Sequence, residues 1–491
     1  MQFAVKTSVI AVFAALATSA CTLGPSGAPP ALPSPAHYGA QPQPLQTVAA
    51  GGIAQRFDAG ATAAPQWWKL YRSDALVEEG LRNNPTLAAT QRSLNAAQQE
   101  LRAQIGASTL PSIDAGAEAE RTRSPVVPGI GLNTERYNVF VGQLQAQYNF
   151  DLFGAVRYGN KASAARVDVQ AYELQAARRA LAANIVGTAI RAAALDRQIA
   201  LTKRLVTLAG DTARDDAQRQ ALGSVPHAQA LGSARQAAVL AATLPPLRQQ
   251  RASTVHALAV LLGRTPDVAP AVPDLDSLSL PEHVPVDVPA QLLRSRPDIQ
   301  AAEAAVQAAA ADVGEATAQL FPNLSLTASM GRAGFSWPAL LSGAGGIWAI
   351  GASASQPIFH GGALLAHRRA TKEAYEAAVL PYKSTVLSAF ENVADSLAAL
   401  DNDAQTLASS ESEARAAQQL FDETTSRYQL GSLPISAAQA SEQQFLTARL
   451  DAVRAQSQRL GDTAALFQAM GELPQEPRKS ASRERRWNIE N

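Results

Sequence analysis

Phe140-Val141-Gly142-Gln143-Leu144-Gln145-Ala146-Gln147-Tyr148-Asn149-Phe150 is the stretch that decides the fold. Phe140, Leu144, Ala146, Tyr148 and Phe150 stand against Gln143, Gln145, Gln147 and Asn149. Successive side chains of a strand point to opposite faces, so a period of two gives one apolar and one wet face. Three more stretches share the pattern. Ile113, Ala115, Ala117 and Ala119 alternate with Asp114, Gly116, Glu118 and Glu120. Leu324, Leu326, Ala328 and Met330 alternate with Asn323, Ser325, Thr327 and Ser329, and Trp348, Ile350, Ala352 and Ala354 with Ala349, Gly351, Ser353 and Ser355. Turn-rich links, Ser124 to Arg136 and Arg332 to Gly346, join each pair, and Phe335, Trp337 and Trp348 gather beside one link as an interfacial aromatic belt does. Each stretch has roughly the length of a tilted transmembrane strand. A soluble half-buried sheet is the alternative. It would need a helix or second sheet on its apolar face, and the long helices described below are engaged elsewhere. Four strands cannot close a barrel in lipid, so membrane-spanning strands require an oligomer. Two copies would give a lumen filled by side chains; three would begin to open a channel.

Outward from these strands the chain repeats itself. Asn84-Pro85-Thr86-Leu87 opens an Ala/Gln-rich helix ending at Leu110-Pro111-Ser112-Ile113; Arg296-Pro297-Asp298-Ile299 opens a similar one ending at Leu320-Phe321-Pro322-Asn323-Leu324. Leu222-Gly223-Ser224-Val225-Pro226 returns as Leu430-Gly431-Ser432-Leu433-Pro434, and Gly263-Arg264-Thr265-Pro266 as Gly471-Glu472-Leu473-Pro474. Four landmarks in one order at nearly constant offset indicate an internal duplication. The expected organisation is a signal peptide (1–20), an extended Pro/Gly/Ala-rich leader lying on the surface of the body (21–64), a first repeat (65–263), a Pro-rich connector (264–296), a second repeat (297–474) and a polar tail (475–491). Each repeat reads helix, two strands, long helix, Gly turn, long helix. The strands are expected at about 112–123 and 138–150, then 323–331 and 347–356; the hairpin tips fall near 222–226 and 430–434.

The long helices carry apolar residues at intervals of seven: Val386, Val393, Leu400, Leu407, Ala414 and Phe421, then Leu446, Val453, Leu460 and Phe467, with Leu174, Leu181 and Leu195 in the first half. A seven-residue period specifies a left-handed supercoil. Each long helix meets its return partner at a tight turn in which Gly223 or Gly431 suits the positive-φ position. Ser224 and Ser432 are expected to cap the following helix, with Pro226 and Pro434 in its first turn. That chemistry needs no function; the functional expectation is that the tips, Leu222, Gly223, Ser224, Leu430, Gly431 and Ser432, dock a partner.

Composition sets the outer limits. The 491 residues are 47% apolar, 17% charged and 5% aromatic, with 42 Lys+Arg against 42 Asp+Glu. Zero net charge argues against nucleic acid as a partner. The six histidines are scattered, with no HExxH and no GxSxG, and Asp151 and Arg157 read as a surface pair, so neither a catalytic nor a metal site is expected. The single cysteine, Cys21, excludes a disulfide framework. It follows Lys6, the apolar run Val9–Ala17 and the small residues Thr18-Ser19-Ala20, the plan of a secretory signal peptide. Its position resembles a bacterial lipobox, although Thr18 stands where Leu is usual. A covalent lipid on Cys21 is therefore expected, and no other cofactor.

The landmarks together resemble the outer-membrane factor family, the TolC/OprM-like efflux channels, in its lipoprotein (NodT-like) branch. The stretches are Cys21-Thr22-Leu23-Gly24-Pro25, Trp67-Trp68-Lys69-Leu70-Tyr71, Asn84-Pro85, Asp151-Leu152-Phe153-Gly154, Arg296-Pro297-Asp298-Ile299, Phe321-Pro322, Pro357-Ile358-Phe359 with Gly361-Gly362, and Arg427-Tyr428-Gln429-Leu430-Gly431-Ser432. The resemblance implies a mixed fold of α and transmembrane β structure. It implies a homotrimer that shares a 12-stranded β-barrel, four strands per chain, continued by a long coiled-coil α-barrel. It also implies a lipid-anchored place in the bacterial outer membrane and a periplasmic extension. The implied partners are a periplasmic adaptor and an inner-membrane transporter, of RND type, for efflux of drugs or other small solutes. A type I protein-secretion duct, or a coiled-coil lipoprotein scaffold without transport, are the competing expectations. Family members often carry Asp six residues after the tip glycine; here Gln229 and Ala437 stand there. Constriction at the closed end is therefore expected to rely on apolar packing and on polar side chains such as His227 and Gln229.

Overall fold

The computed structural model of the chain describes residues 23–31, 37–39, 44–61, 66–123, 136–286, 292–293 and 295–470. The signal peptide, Cys21, most of the first strand link and the polar tail lie outside these residues. In chain order the elements are β1 (Arg56–Ala59), a 3-10 turn (Trp67–Tyr71), α1 (Asp74–Asn83), α2 (Pro85–Thr109), β2 (Ser112–Arg123), β3 (Arg136–Phe150), α3 (Ala155–Ala221), α4 (His227–Leu261), β4 (His283–Val286), α5 (Pro297–Ala318), β5 (Asn323–Gly334), α6 (Trp337–Leu341), β6 (Gly346–Ser355), α7 (Ala363–Gln429) and α8 (Ile435–Met470). They divide into two compact units. One draws on Met1–Ala31, Ser93–Ala171 and Ala301–Lys383, the other on Leu32–Arg92, Tyr172–Gln300 and Ser384–Asn491. Each unit takes segments from both halves of the duplication.

The first unit carries an antiparallel sheet of order β2-β3-β5-β6. β3 starts two residues before the expected position, and β5 continues to Gly334 instead of ending at 331. The second link is not all turn: Ser336 caps the short helix α6, its hydroxyl accepting from Ala339 N at 3.3 Å. The passage from β3 into α3 is fixed by Asp151. Its carboxylate accepts from the amides of Val156 (3.0 Å) and Arg157 (2.9 Å) and from Arg157 Nε (3.1 Å). An acidic side chain at a helix start satisfies amides that have no intrahelical partner. In the same passage Phe153 stacks on Phe321, which leads into β5, with ring centroids 4.9 Å apart.

The second unit is a helical body. Its core is the seven-residue rows: Val386, Val393, Leu400, Leu407 and Ala414 of α7 are all buried, as are Leu446, Val453, Leu460 and Phe467 of α8. Phe421 continues the first row by stacking on Phe445, nearly parallel at 6.0 Å. Trp67 stacks on Phe467 at 5.7 Å and meets Tyr71 edge-on at 6.0 Å, so the Trp-Trp-Lys-Leu-Tyr turn plugs the bundle.

Two features depart from expectation. The leader does not simply lie on the surface: Thr47, Ala50 and Gln55 are buried against α8. The cause is Arg459, whose guanidinium is fully buried and donates to Gln55 Oε1 (3.1 Å), Ala50 O (2.8 Å), Thr47 Oγ1 (3.2 Å) and Ile53 O (3.3 Å). A buried cation must have its donors satisfied, and the leader supplies the acceptors. The connector also contains a strand: β4 pairs in parallel with β1 of the leader, Arg56 opposite His283 through Ala59 opposite Val286. Val284 and Val286 are buried and anchor a two-stranded sheet that would not stand alone.

Candidate functional site

Register is what turns four alternating strands into a surface. In an antiparallel sheet, directly paired residues share a face. Ile113, Ala146, Ala328 and Ile350 form one rung across all four strands, and Ala115, Leu144, Met330 and Trp348 form the next but one. Phe150, Leu324 and Ala354 lie on the same face at one end. Between those rungs, Asp114, Gln145, Ser329 and Ala349 share the opposite face, as do Ser112, Gln147, Thr327 and Gly351. The alternating apolar residues named above therefore fall on one side and the Gln, Ser, Thr, Asp and Glu residues on the other, where Val139, Val141 and Ile347 join them toward the far end. Glu118 and Glu120 follow Asp114 on the wet side of β2, where Glu120 accepts from Thr122 Oγ1 at 2.7 Å.

Among the described residues, the apolar side is covered only where α6 packs on Phe140. Trp348 is 77% exposed and Ile350 70%. Two apolar girdles bound it. At the strand ends next to the helices, Leu110, Leu152, Ile358 and Phe359 are exposed. At the other end, Trp337 packs on Phe140 (4.8 Å) and Arg332, which continues the apolar face, is tied to Leu341 O at 2.8 Å, while Phe335 meets Tyr137, which register puts beside Thr122, edge-on (5.7 Å). The sequence indicated the aromatic belt of Phe335, Trp337 and Trp348. The girdle beside the helices escaped it, although Pro111 and Pro357 mark its place. The outer strands are open: among the described residues β2 and β6 pair on one side only. Strand directions alternate across the order β2-β3-β5-β6, so the two free edges run antiparallel to each other.

The helical tips lie in the second unit. Gly223 and Gly431 have φ of 72° and 71°, the left-handed conformation that glycine adopts without strain. Leu222 and Leu430 are 84% and 83% exposed, large apolar side chains held out at both tips. The serines act in the opposite sense to expectation. Ser224 N and Oγ both donate to Arg219 O at 2.8 Å, and Ser432 N and Oγ both donate to Arg427 O at 2.9 Å. Each closes the helix before the turn, because its hydroxyl lies beside the unpaired carbonyls of that helix end. Pro226 stands just before α4, in extended conformation.

His227 opens α4 and is exposed, while Gln229 donates to Asp216 Oδ1 at 3.2 Å. Asp216 and its neighbour Asp215, which accepts from Gln439 Nε2 at 3.1 Å, are the residues that sequence reasoning missed near the tips. Their signal was the paired carboxylates of Arg214-Asp215-Asp216. Arg204 and Glu442 add an ion pair at 2.7 Å between α3 and α8, above the buried cluster of Leu205, Leu208, Leu446 and Leu450.

Inside the helical body, burial and the neighbouring Asp462 carboxylate push the Asp403 carboxyl up to about 7, against the pull of the Arg459 guanidinium. In the first unit, burial and the adjacent Asp312 raise Glu315, partly offset by Arg166 and His367. No group of His, Cys, Asp or Glu among the described residues is placed to hold a metal ion.

The family profile described as "Outer membrane efflux protein" matches residues 76–264 and 288–472, that is, most of each half of the duplication. Outer membrane protein OprJ of Pseudomonas aeruginosa is 32% identical over 401 residues, which cover 79% of this chain and 80% of OprJ. The pyoverdine export outer membrane protein OpmQ of the same species is 30% identical over 487 residues, covering 95% of this chain and 98% of OpmQ. The open state of the Neisseria gonorrhoeae MtrE outer membrane channel aligns with a TM-score of 0.73 at 25% identity, over 90% of this chain and 98% of MtrE. The chain belongs to the outer membrane efflux protein family.

Proposed function

We propose that this protein is the outer-membrane exit channel of a tripartite efflux system. The carrying observation is the sheet: across the middle rungs one apolar face and one wet face, with two free edges of opposite direction. Open edges are not tolerated in hydrocarbon, so β6 of one copy pairs with β2 of the next until the ring closes. Each copy adds four strands, so three close a 12-stranded barrel, and the row of Gln, Ser, Thr and Asp lines a water-filled bore. The seven-residue rows extend the assembly as a coiled-coil α-barrel.

Transport is passive at this step. Solutes enter from a periplasmic adaptor and an inner-membrane transporter of RND type, and small molecules are the cargo; the export of pyoverdine named for OpmQ is of that kind. The exposed leucines Leu222 and Leu430 at their glycine turns supply the apolar surface on which the adaptor docks, with Gly223, Ser224, Gly431 and Ser432 shaping the turns. His227 and Gln229 contribute polar side chains to the constriction at this end, Gln229 through its bond to Asp216. Cys21 carries the lipid anchor; its neighbour Leu23 is already held in the sheet-bearing unit, where its amide donates to Tyr158 Oη at 3.0 Å.

Single cysteines placed along the free edges of β2 and β6, paired in one chain, test the closure. Intermolecular disulfides should accumulate dimers and then stop at trimers. A ladder that continues past three, or none at any pairing, refutes it.

A further inference from the structure

Beside the start of α7 in the first unit lies a cleft of about 490 Å³ whose walls include Leu23, Leu365, Arg368, Arg369, Lys372 and Glu376. We propose that this cleft binds the headgroup of an anionic phospholipid of the membrane leaflet next to the helices. The proposal rests on the membrane reading of the sheet given above, and adds to it a specific lipid site.

Three cations face one carboxylate there. Glu376 lies 4.0 Å from Lys372 and engages it loosely. Arg368 and Arg369 are exposed, and among the described residues no carboxylate lies in ion-pair range of either. Guanidinium groups suit phosphate oxygens because the planar fork can donate two parallel bonds. Height is the second argument. α7 begins at Ala363, eight residues after β6 ends at Ser355, and the exposed Ile358 and Phe359 occupy the interval. Arg368 and Arg369 lie about 8–9 Å along the helix axis from Ala363, at 1.5 Å per residue. They thus sit one step beyond the apolar girdle, at the depth where headgroup phosphates lie and where basic clusters attract acidic lipid.

The leader supplies the third argument. Gly24 lies directly on α5; a Cβ there would come to 3.0 Å of Gly314 Cα. With Leu23 held by Tyr158, the chain from Leu23 back to Cys21 spans at most about 7 Å. Leu23 and Leu365 give the cleft an apolar wall on which the first methylenes of an acyl chain can rest. The cations then hold the phosphate.

The test is native mass spectrometry of the full-length protein in a neutral detergent, titrated with phosphatidylglycerol and, in parallel, phosphatidylcholine. Phosphatidylglycerol should bind more tightly. The triple variant Arg368→Gln, Arg369→Gln, Lys372→Gln should lose that preference, by about fivefold per cation removed. A single Arg369→Gln variant should lose about fivefold, which keeps the test open if the triple variant does not fold. Equal binding of the two lipids overturns the site. So does full displacement by millimolar inorganic phosphate, which would mark a free-anion site, or dissociation of the oligomer in the variants with unchanged lipid binding, which would mark a contact between copies. If the wild-type protein is not recovered from the outer membrane at all, the membrane reading fails first. Recovery there without a phosphatidylglycerol preference defeats the lipid site alone.

Discussion

Ala349 and Ile350 are neighbours in β6, yet register puts Ile350 on the rung with Ile113, Ala146 and Ala328 and Ala349 on the rung with Asp114, Gln145 and Ser329. Lysine at the two positions therefore separates lipid from water by one residue. β6 has 10 residues, and Ile350 is the fifth. With about 3.3 Å per residue and a tilt near 40°, it lies roughly 12 Å from either end of the spanning segment, close to the midplane. A lysine facing lipid at that depth costs about 2–4 kcal/mol per chain, and about three times as much in a closed trimer. Ala349→Lys faces the water-filled side and should cost about 0–1 kcal/mol, as a substitution on a wet surface does. The assay is the temperature at which the oligomer falls apart in SDS, together with the amount recovered in the outer membrane. Ile350→Lys should lower both sharply and Ala349→Lys neither. Equal effects, or the reverse order, would refute the assignment of faces; in a soluble sheet, Ile350 at 70% exposure would tolerate lysine.

Three further outcomes follow from the helical unit. Arg459→Met removes four hydrogen bonds that tie Thr47, Ala50, Ile53 and Gln55 to α8 and leaves Gln55 Oε1 without a donor, so it should destabilise the leader's attachment by about 1–3 kcal/mol. Limited proteolysis should then cut within residues 44–61, where the wild type resists; equal resistance would count against the clamp. Asp403, held near 7 instead of the usual carboxylate range, binds a proton in the folded state at pH values where the unfolded chain has lost it. Stability should therefore fall as pH rises from about 4 to about 7. Asp403→Asn should flatten that slope in thermal unfolding, and an unchanged slope would exclude Asp403 as its source. Gly223→Val or Gly431→Val forces a β-branched residue to φ near 72° or 71°, a strain of about 1–3 kcal/mol confined to the tip. Export should drop while trimers persist in the outer membrane, and normal export in both variants would remove the docking role.

The elements that were legible in the sequence are those whose signal is local and periodic. Gln143, Gln145, Gln147 and Asn149 announced a wet face, and Val386 through Ala414 announced a buried seam. Whether the faces of four strands coincide was not legible, because each strand could slip by one residue and invert its side chains. Only the pairings of Ile113 with Ala146, Ala146 with Ala328 and Ala328 with Ile350 decide it. The β1–β4 pair was hidden for a related reason: four-residue segments 227 positions apart carry no alternation long enough to read. Arg459 looked like one more solvated arginine on a heptad helix, since its acceptors lie more than 400 residues away and two are main-chain carbonyls. At the tips, Leu-Gly-Ser gave the turn and its positive φ. It did not say which helix end the serine would serve, for a hydroxyl at that position can reach either.

The most direct test of the account is the current carried by the purified full-length protein in a planar lipid bilayer. The account predicts discrete conductance steps from a heat-modifiable oligomer of three chains. An intact oligomer that inserts and yet passes no current, or a monomer that stays dissolved without detergent, would contradict it.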